Sequence, residues 1–443
     1  MMMKTTNLIL ASTIILLASC KKNSTDPIPT LDCNSVENGT SMEDDCGVCQ
    51  QAYVYDVVSH DVTLLNDTIG VVLADPTEML IMPNDSMNPY WNSSCIIAPD
   101  TYYFEAMGPM GPANTVSYGG QTTRLLMAKQ LVDALKNGTH DLSQLQQMWT
   151  TGTGFADGID NTSKIIRSKT SASPTASATV QVQLDNMLVN YSDEVLANWS
   201  GDAAAGTGGE YTSTVAGETR TVHINAKGME IDQCFAKSLI GGLCLDQAAN
   251  KYLEVAYQAG LNNVDRDPAE DNNATEMEHK WDEGFGYVYG HFGADNIYGD
   301  LSDDALLGKY LDKSGFEAEK AAVWEAFKLG RAAISHSAPD ADLRDAQSVI
   351  IKAELSKVIA AKAVGYLENS ANLLESEGGV SAKYFHELSE GWGFILSLQY
   401  TDWFSNAEVN TMLDQLEAGD GFWSRSATEL DEMAASIRSV TRL

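Results

Sequence analysis

The chain has 443 residues, more than one minimal core needs, and its 44% apolar share is that of a folded globular protein. Its 28 basic and 61 acidic residues give a formal net charge of −33. Such a field repels polyphosphate backbones and anionic membrane surfaces, so nucleic acid is not an expected partner, whereas cations and cationic partners are compatible with it.

The first residues, MMMKTTNLILASTIILLASC, place Lys4 before an apolar run that ends Leu17-Ala18-Ser19-Cys20, small residues leading into a cysteine. This resembles the lipobox of bacterial lipoproteins. The resemblance implies a signal peptide over 1–20, cleavage before Cys20, and acylation of Cys20 with enough chains for stable anchoring. Lys21 after the cysteine, in place of Asp, resembles lipoproteins sorted to the outer membrane, with the body facing either the periplasm or the medium. Residues 21–32 are polar, carry Pro27 and Pro29, and are expected to be a leash. No later apolar run reaches the roughly 18 residues that span a bilayer.

Residues 33–98 form an expected small unit. Cys33, Cys46, Cys49 and Cys95 are even in number, and an oxidising compartment would join them in disulfides by any of three connectivities. DCNSVENGTSMEDDCGVC resembles short Cys-Gly-Asp modules of secreted bacterial proteins, while Cys46-x-x-Cys49 is also half of a zinc site. Further on, β-branched and polar residues mix, with turn formers at Asn66-Asp67 and Asp75-Pro76, which predicts short strands and loops.

Past Gly120 the period changes. Leu125, Ala128, Val132 and Leu135 fall at helical spacing and Gly138 supplies a stop. Helices are also predicted over 177–198, 229–257, 276–291, 315–335, 341–374, 382–400, 406–417 and 427–441, with a hairpin turning at Ala216-Gly217-Glu218. QCFAKSLIGGLCLDQAANKYL reads as one continuous helix. That sets Cys234 and Cys244 about 15 Å apart along the axis, beyond the roughly 7 Å that a disulfide allows, so both are expected to be free and buried.

One pattern occurs twice. HKWDEGFGYVYG begins at His279 and HELSEGWGFILS at His386, sharing H-x-x-x-E-G-x-G and an aromatic after the second glycine, 386 − 279 = 107 positions apart. Each copy follows a Tyr-Leu-Glu, at Tyr252 and at Tyr366, so the chain reads as a duplicated helical hairpin. Thr275 with Glu278 makes a capping box and Ser381 a cap, which puts each histidine in the first turns of its helix with a glutamate four residues on, on the same face. Glycine inside a helix costs about 1 kcal/mol against alanine. Offsetting that cost requires a close neighbour, and the two motif helices are expected to cross each other at Gly284, Gly286, Gly391 and Gly393 about a pseudo-twofold axis.

A duplicated all-helical body behind a lipobox, with a His-to-acid motif opening a helix, resembles the imelysin-like superfamily. It is more closely similar to a branch of uncharacterised lipoprotein domains that open with a GQTTR helix, here Gly120–Arg124, and carry HKWDEGFGY, here His279–Tyr287. The resemblance covers roughly residues 100–443 and implies a mainly α body over 99–443 and a binding role in metal or nutrient uptake at the envelope. Imelysins carry G-x-H-x-x-E. Here the acid three past histidine is Asp282 in the first copy, Ser389 takes its place in the second, and Met277 and Tyr384 replace the glycine.

Several chemistries fit these residues. His279, Asp282, Glu283, His386 and Glu390 would suit a divalent metal, zinc or iron, if the two copies face one another. The same His-Glu pairs also serve as hydrogen-bonded polar plugs where helices cross, and a groove for a small molecule or peptide is the third reading, with Arg124, Trp281 and Trp392 as candidate contacts. Trp281 and Trp392 equally suit a core. A metal-dependent peptidase has little support: His386-Glu387-Leu388-Ser389-Glu390 ends in an acid where H-E-x-x-H needs histidine, and there is no G-x-S-x-G.

Overall fold

A computed structural model describes residues 30–85, 87–267, 269, 272–291, 301 and 305–443; the expected signal peptide, Cys20 and leash residues 21–29 lie outside them. The architecture is mainly helical, with a small β-rich N-terminal region, as the composition and periodicity predict. In that region β1 (Met42–Glu43) pairs with β2 (Cys49–Gln50), and β3 (Ala52–Asp56) lies between β4 (Val62–Leu65) and β5 (Glu78–Ile81) in an antiparallel sheet. Of the three possible connectivities, the one formed bond is Cys33–Cys49, with Cα atoms 5.6 Å apart. Cys46 and Cys95 are thiols lying against each other, so two thiols stand where a second disulfide was expected.

A second hairpin, β6 (Glu105–Gly108) with β7 (Gly111–Asn114), leads into α1 (Gly119–Asn137), which Gly138 closes in the left-handed conformation at φ 62°. Next come α2 (Leu142–Thr151), capped by Asp141 and Gln144, and α3 (Thr179–Asn190), which continues in π and 3-10 turns to Asn198. The predicted hairpin is β8 (Gly209–Val215) and β9 (Glu218–Ile224). Ala216 and Gly217 turn it with φ of 51° and 85°, the positive pair that a two-residue turn needs to match strand twist. α4 (Ile231–Leu239) then runs on through π-helical turns to Tyr252. Cys234 and Cys244 are both buried thiols in this rod and are not joined to each other, as its length requires.

The remaining helices are α5 (Val255–Ala259), α6 (Glu276–Tyr289), α7 (Leu306–Leu311), α8 (Glu317–Ser335), α9 (Ala341–Glu377), α10 (Ala382–Ser397), α11 (Asn406–Glu417) and α12 (Ala427–Thr441). α9 is the axle: 37 residues, about 55 Å, against which α8, α10 and α12 pack. One core runs from Tyr102 to Ile437, and Ile96 joins Ala333 and Leu343 in a smaller cluster under the β-rich region. Polar ties hold that region down too: Trp403 Nε1 donates to Val58 O at 2.6 Å, and Arg442 reaches Asp56 and Asp75 at 2.8 and 2.9 Å. Among the described residues no helix is long and apolar enough to cross a membrane.

The motif glycines mark close approaches, but not to one another. A Cβ on Gly286 would stand 2.5 Å from Tyr118 Cβ and 2.9 Å from Gln121 Cβ at the start of α1. One on Gly393 would stand 2.5 Å from Lys237 Cβ and 2.7 Å from Cys234 O in α4. Gly284 faces Leu253 at 3.0 Å and Gly391 faces Tyr366 at 3.2 Å. The expected crossing of α6 with α10 at these four glycines is therefore corrected: each motif helix uses its notch to seat its own partner helix and its own Tyr-Leu segment. The matching extends to the backbone. Ser117 N–H donates to Asp282 at 3.2 Å and Glu230 N–H to Ser389 at 2.8 Å, both acceptors three residues past a motif histidine.

Candidate functional site

With α1 and α4 anchored in this common register, Arg124 and Lys237 occupy matching places, 124 − 117 = 7 and 237 − 230 = 7 residues past the anchored N–H. Lys237 projects towards the motif glutamate Glu390 and Tyr310, whereas Arg124 reaches Tyr287. What surrounds them differs.

In the first copy the capping box at Thr275 sets His279 in the first turn of α6, with its side chain 40% exposed and Nε2 3.9 Å from Glu283 Oε1. Glu283 is instead claimed by Lys280, Nζ to Oε2 at 2.7 Å. Burial pushes the Glu283 carboxyl up, but Lys280 and His279 outweigh it and hold it below its ordinary value. Lys280 also lies over the Tyr252 ring at 5.8 Å, Lys169 lies over it at 5.7 Å and donates to its hydroxyl at 3.2 Å, and Lys251 lies over Tyr257 at 5.3 Å. Tyr252 stacks on Tyr287, centroids 6.0 Å apart. Arg124 is 5% exposed; its Nη1 has only long contacts, 3.4 Å to Gly120 O and 3.5 Å to Tyr287 OH, and its Nε has no partner. Burial pushes the Lys169 ammonium down and Arg124, Lys251 and Lys280 push it further, with Glu283 opposing. Against these four cations, Glu283 acts at Lys169, and Glu283 with Glu276 at Tyr257.

In the second copy His386 Nδ1 lies 2.7 Å from Glu230 Oε2, and Nε2 lies 3.8 Å from Glu390 Oε1. Lys237 Nζ is 2.8 Å from Glu390 Oε1 and donates to Gln233 Oε1 at 2.8 Å, so the counterpart of Arg124 is fully paired. Tyr310 OH donates to Glu390 at 3.4 Å. Burial pushes Glu390 up, and Lys237 and His386 more than offset it, leaving the carboxyl below its usual range. Next to them Asp232, which accepts from Gln233 Nε2 at 2.7 Å, is driven up to about 7 by burial and by Glu230, against Lys237 and His386.

The expected metal set is not brought together. Among the described residues no group of three or more His, Cys, Asp and Glu could hold a metal ion, because the two motifs face different partners and each glutamate already carries an ammonium. Asp282 points away from His279 into the core, where it accepts from Arg331 Nε at 2.9 Å, Tyr102 OH at 2.7 Å and Ser117 N–H. The two tryptophans do not line a groove. Trp281 is buried and donates to Phe327 O at 3.0 Å, and Trp392 is buried and donates to Glu417 Oε1 at 2.8 Å. Of the candidate ligand contacts, Arg124 alone stands in a cluster of cations and keeps an unpartnered donor, Nε.

This helical body, with both motif copies and the Arg124 helix, falls inside a known family. The chain belongs to the DUF4856 family. That family, described as Domain of unknown function (DUF4856), matches residues 99–440, so the β-rich region up to Ile97 precedes the DUF4856 domain. No curated protein and no solved structure matches the chain. Within the DUF4856 domain, sequence reasoning missed Lys169, Lys251 and Lys280. Lys280 sits inside the motif and Lys251 beside the Tyr-Leu-Glu, so both were legible as charges on the repeat. Lys169 ends a short 3-10 turn, Arg167–Lys169, 83 residues before Tyr252, and no local signal joins it to the cluster.

Proposed function

We propose that the chain is an envelope lipoprotein, anchored through Cys20, whose imelysin-like body binds a small anionic nutrient, a carboxylate or phosphate ester, over Arg124, Lys169 and Lys280. The observation that carries this reading is Arg124: a buried guanidinium with no carboxylate paired to it among the described residues and an unpartnered Nε. Leaving one charge of a buried pair alone costs about 3–5 kcal/mol, a cost that an anion bound there would offset. Access is supported by Lys280, 26% exposed, and His279 at the edge. In a chain of net charge −33, three lysines and an arginine gathered on Tyr252, Tyr257 and Tyr287 oppose the general field and favour the opposite charge. A divalent metal at Glu283 would meet the Lys280 ammonium already on that carboxylate.

The test is calorimetric titration of the purified protein with citrate, glucuronate and glycerol 3-phosphate beside zinc and ferrous iron. Saturable anion binding that Arg124→Gln weakens by about tenfold or more, or about 1.4 kcal/mol, supports the reading. Metal binding that His279→Ala abolishes, with no anion bound, would overturn it.

A further inference from the structure

The β-rich region closes a cavity of about 510 Å³ against α9, within the range that small-molecule sites occupy. Its construction is unlike that of the Arg124 cluster. One wall carries Tyr53, Tyr55 and Tyr90; the other is the α9 face that includes Asp345 and Glu354. Tyr53 and Tyr90 meet edge to face, with centroids 5.7 Å apart and planes at 75°. Tyr53 OH donates to Asn88 Oδ1 at 3.2 Å and Tyr55 OH bonds His60 Nδ1 at 2.7 Å, which commits the hydroxyls within the wall and leaves the rings to meet an occupant.

Among the described residues the charge in the lining has one sign: Asp85, Asp340, Asp342, Asp345 and Glu354 contribute five carboxylates, and none of the described lining residues is a lysine or arginine. The nearest cations stand behind the wall, Lys357 at 3.5 Å from Glu354 and Arg344 at 2.6 Å from Asp345. They do not suffice: burial raises both carboxyls above their ordinary range despite these partners, with Glu319 and Asp61 adding at Glu354 and Asp342 and Glu254 at Asp345. His60, whose imidazolium would be the other positive group, is held down by burial and Lys357. A cation in the cavity would favour the ionised form of both carboxyls at once. The carboxylates do not converge into a metal-holding group, so the charge has to be spread over a larger body.

We propose that this cavity binds a small organic cation, an amine or quaternary ammonium, between the tyrosine rings and the α9 carboxylates. Aromatic faces attract such cations through the ring quadrupole and tolerate their apolar surface, which a hydrated metal ion lacks. The site needs residues before the family domain as well as α9, so it stands or falls independently of the anion reading.

The experiment is titration of the full protein with choline, tetramethylammonium and spermidine, against 3,3-dimethyl-1-butanol, the uncharged isostere of choline, and against glucose. Saturable binding of a cation with no binding of the isostere is expected. Glu354→Gln and Tyr55→Leu should each weaken it about tenfold or more, and Lys357→Met should tighten it; circular dichroism and a melting curve confirm that each variant is folded. The proposal is overturned if no cation binds at millimolar concentration, if the isostere binds as well as choline, if only glucose binds, or if folded Glu354→Gln and Tyr55→Leu keep full affinity.

Discussion

Asp282→Asn separates a metal ligand from a structural ion. In the fold Asp282 and Glu278 are two buried carboxylates set against Arg331 and Arg266: Arg331 Nε is 2.9 Å from Asp282 and its Nη1 3.1 Å from Glu278, while Arg266 pairs with Glu278. Tyr102 OH and Thr115 Oγ1 complete the network, Thr115 accepting from Arg331 Nη2 at 3.0 Å. The charges balance two against two. Burial raises the Asp282 carboxyl, and Arg331, Tyr102 and the Ser117 N–H oppose it and hold the charge in place; asparagine keeps the shape but removes that partner of the buried Arg331, at a cost of about 3–5 kcal/mol. The body from 99 to 443 has 443 − 99 + 1 = 345 residues. At about 2.1 cal/mol/K per residue its unfolding entropy is about 0.7 kcal/mol/K, so the melting temperature should fall by about 4–7 °C. Differential scanning calorimetry with and without EDTA is the assay. Asp282→Leu with Arg331→Met should recover most of the loss, since a well-packed apolar pair replaces buried ions without penalty. An unchanged melting temperature in Asp282→Asn, or a wild-type protein that EDTA destabilises by the same amount, would refute the structural assignment.

Asp232, driven up to about 7 by burial and Glu230, contributes stability that is fully present below its unfolded value near 4 and is lost as pH rises through 7. Asp232→Asn should therefore gain more stability at pH 8 than at pH 5, by about 2–3 kcal/mol in paired urea titrations; an equal gain at both would refute the assignment. Glu278 runs the other way: held down to about 2, with burial opposed by Arg331 and Arg266, it stabilises above about pH 4.5 and loses that contribution as pH falls towards 2, so Glu278→Gln should flatten the acid limb of the melting curve. Mild oxidation should join Cys46 to Cys95, read as loss of two alkylatable thiols in peptide mapping, while Cys234 and Cys244 stay unreacted until the protein unfolds. Gly286→Ala, whose new methyl would meet Tyr118 at 2.5 Å, should cost about 1–3 kcal/mol, more than Gly391→Ala, where the nearest atom is Tyr366 Cβ at 3.2 Å.

Local signals carried the fold furthest. Caps at Thr275 and Ser381, the stop at Gly138 and the turn at Ala216-Gly217 are each short-range chemistry, and each stands where periodicity put it. α2 was missed because its ten residues bury only Leu145, Met148 and Trp149, too few to display a period. The glycine notches were read correctly as close approaches and wrongly as contacts with each other. A glycine records that a neighbour comes near, and nothing in its own segment says which neighbour. The same gap explains Asp282: the acid at that spacing is visible, but the arginine that claims it lies 49 residues on in another helix. Trp281 and Trp392 follow the ordinary rule that aromatics at helical spacing bury.

The two copies of the motif are one scaffold carrying opposite local charge. Position one past the histidine is Lys280 in the first and Glu387 in the second. Where that position is acidic, the motif glutamate is free to neutralise the buried cation opposite, and Lys237 sits 2.8 Å from Glu390. Where it is basic, Lys280 takes the glutamate at 2.7 Å, and Arg124 is left without a carboxylate. The second copy is thereby satisfied from within and stabilises the bundle. In the first, the buried Arg124 has no carboxylate paired to it among the described residues, and leaving one charge of a buried pair alone costs about 3–5 kcal/mol. Divergence at this helix position thus accompanies a paired cation in one copy and an unpaired Arg124 in the other, the asymmetry on which the proposed anion site rests.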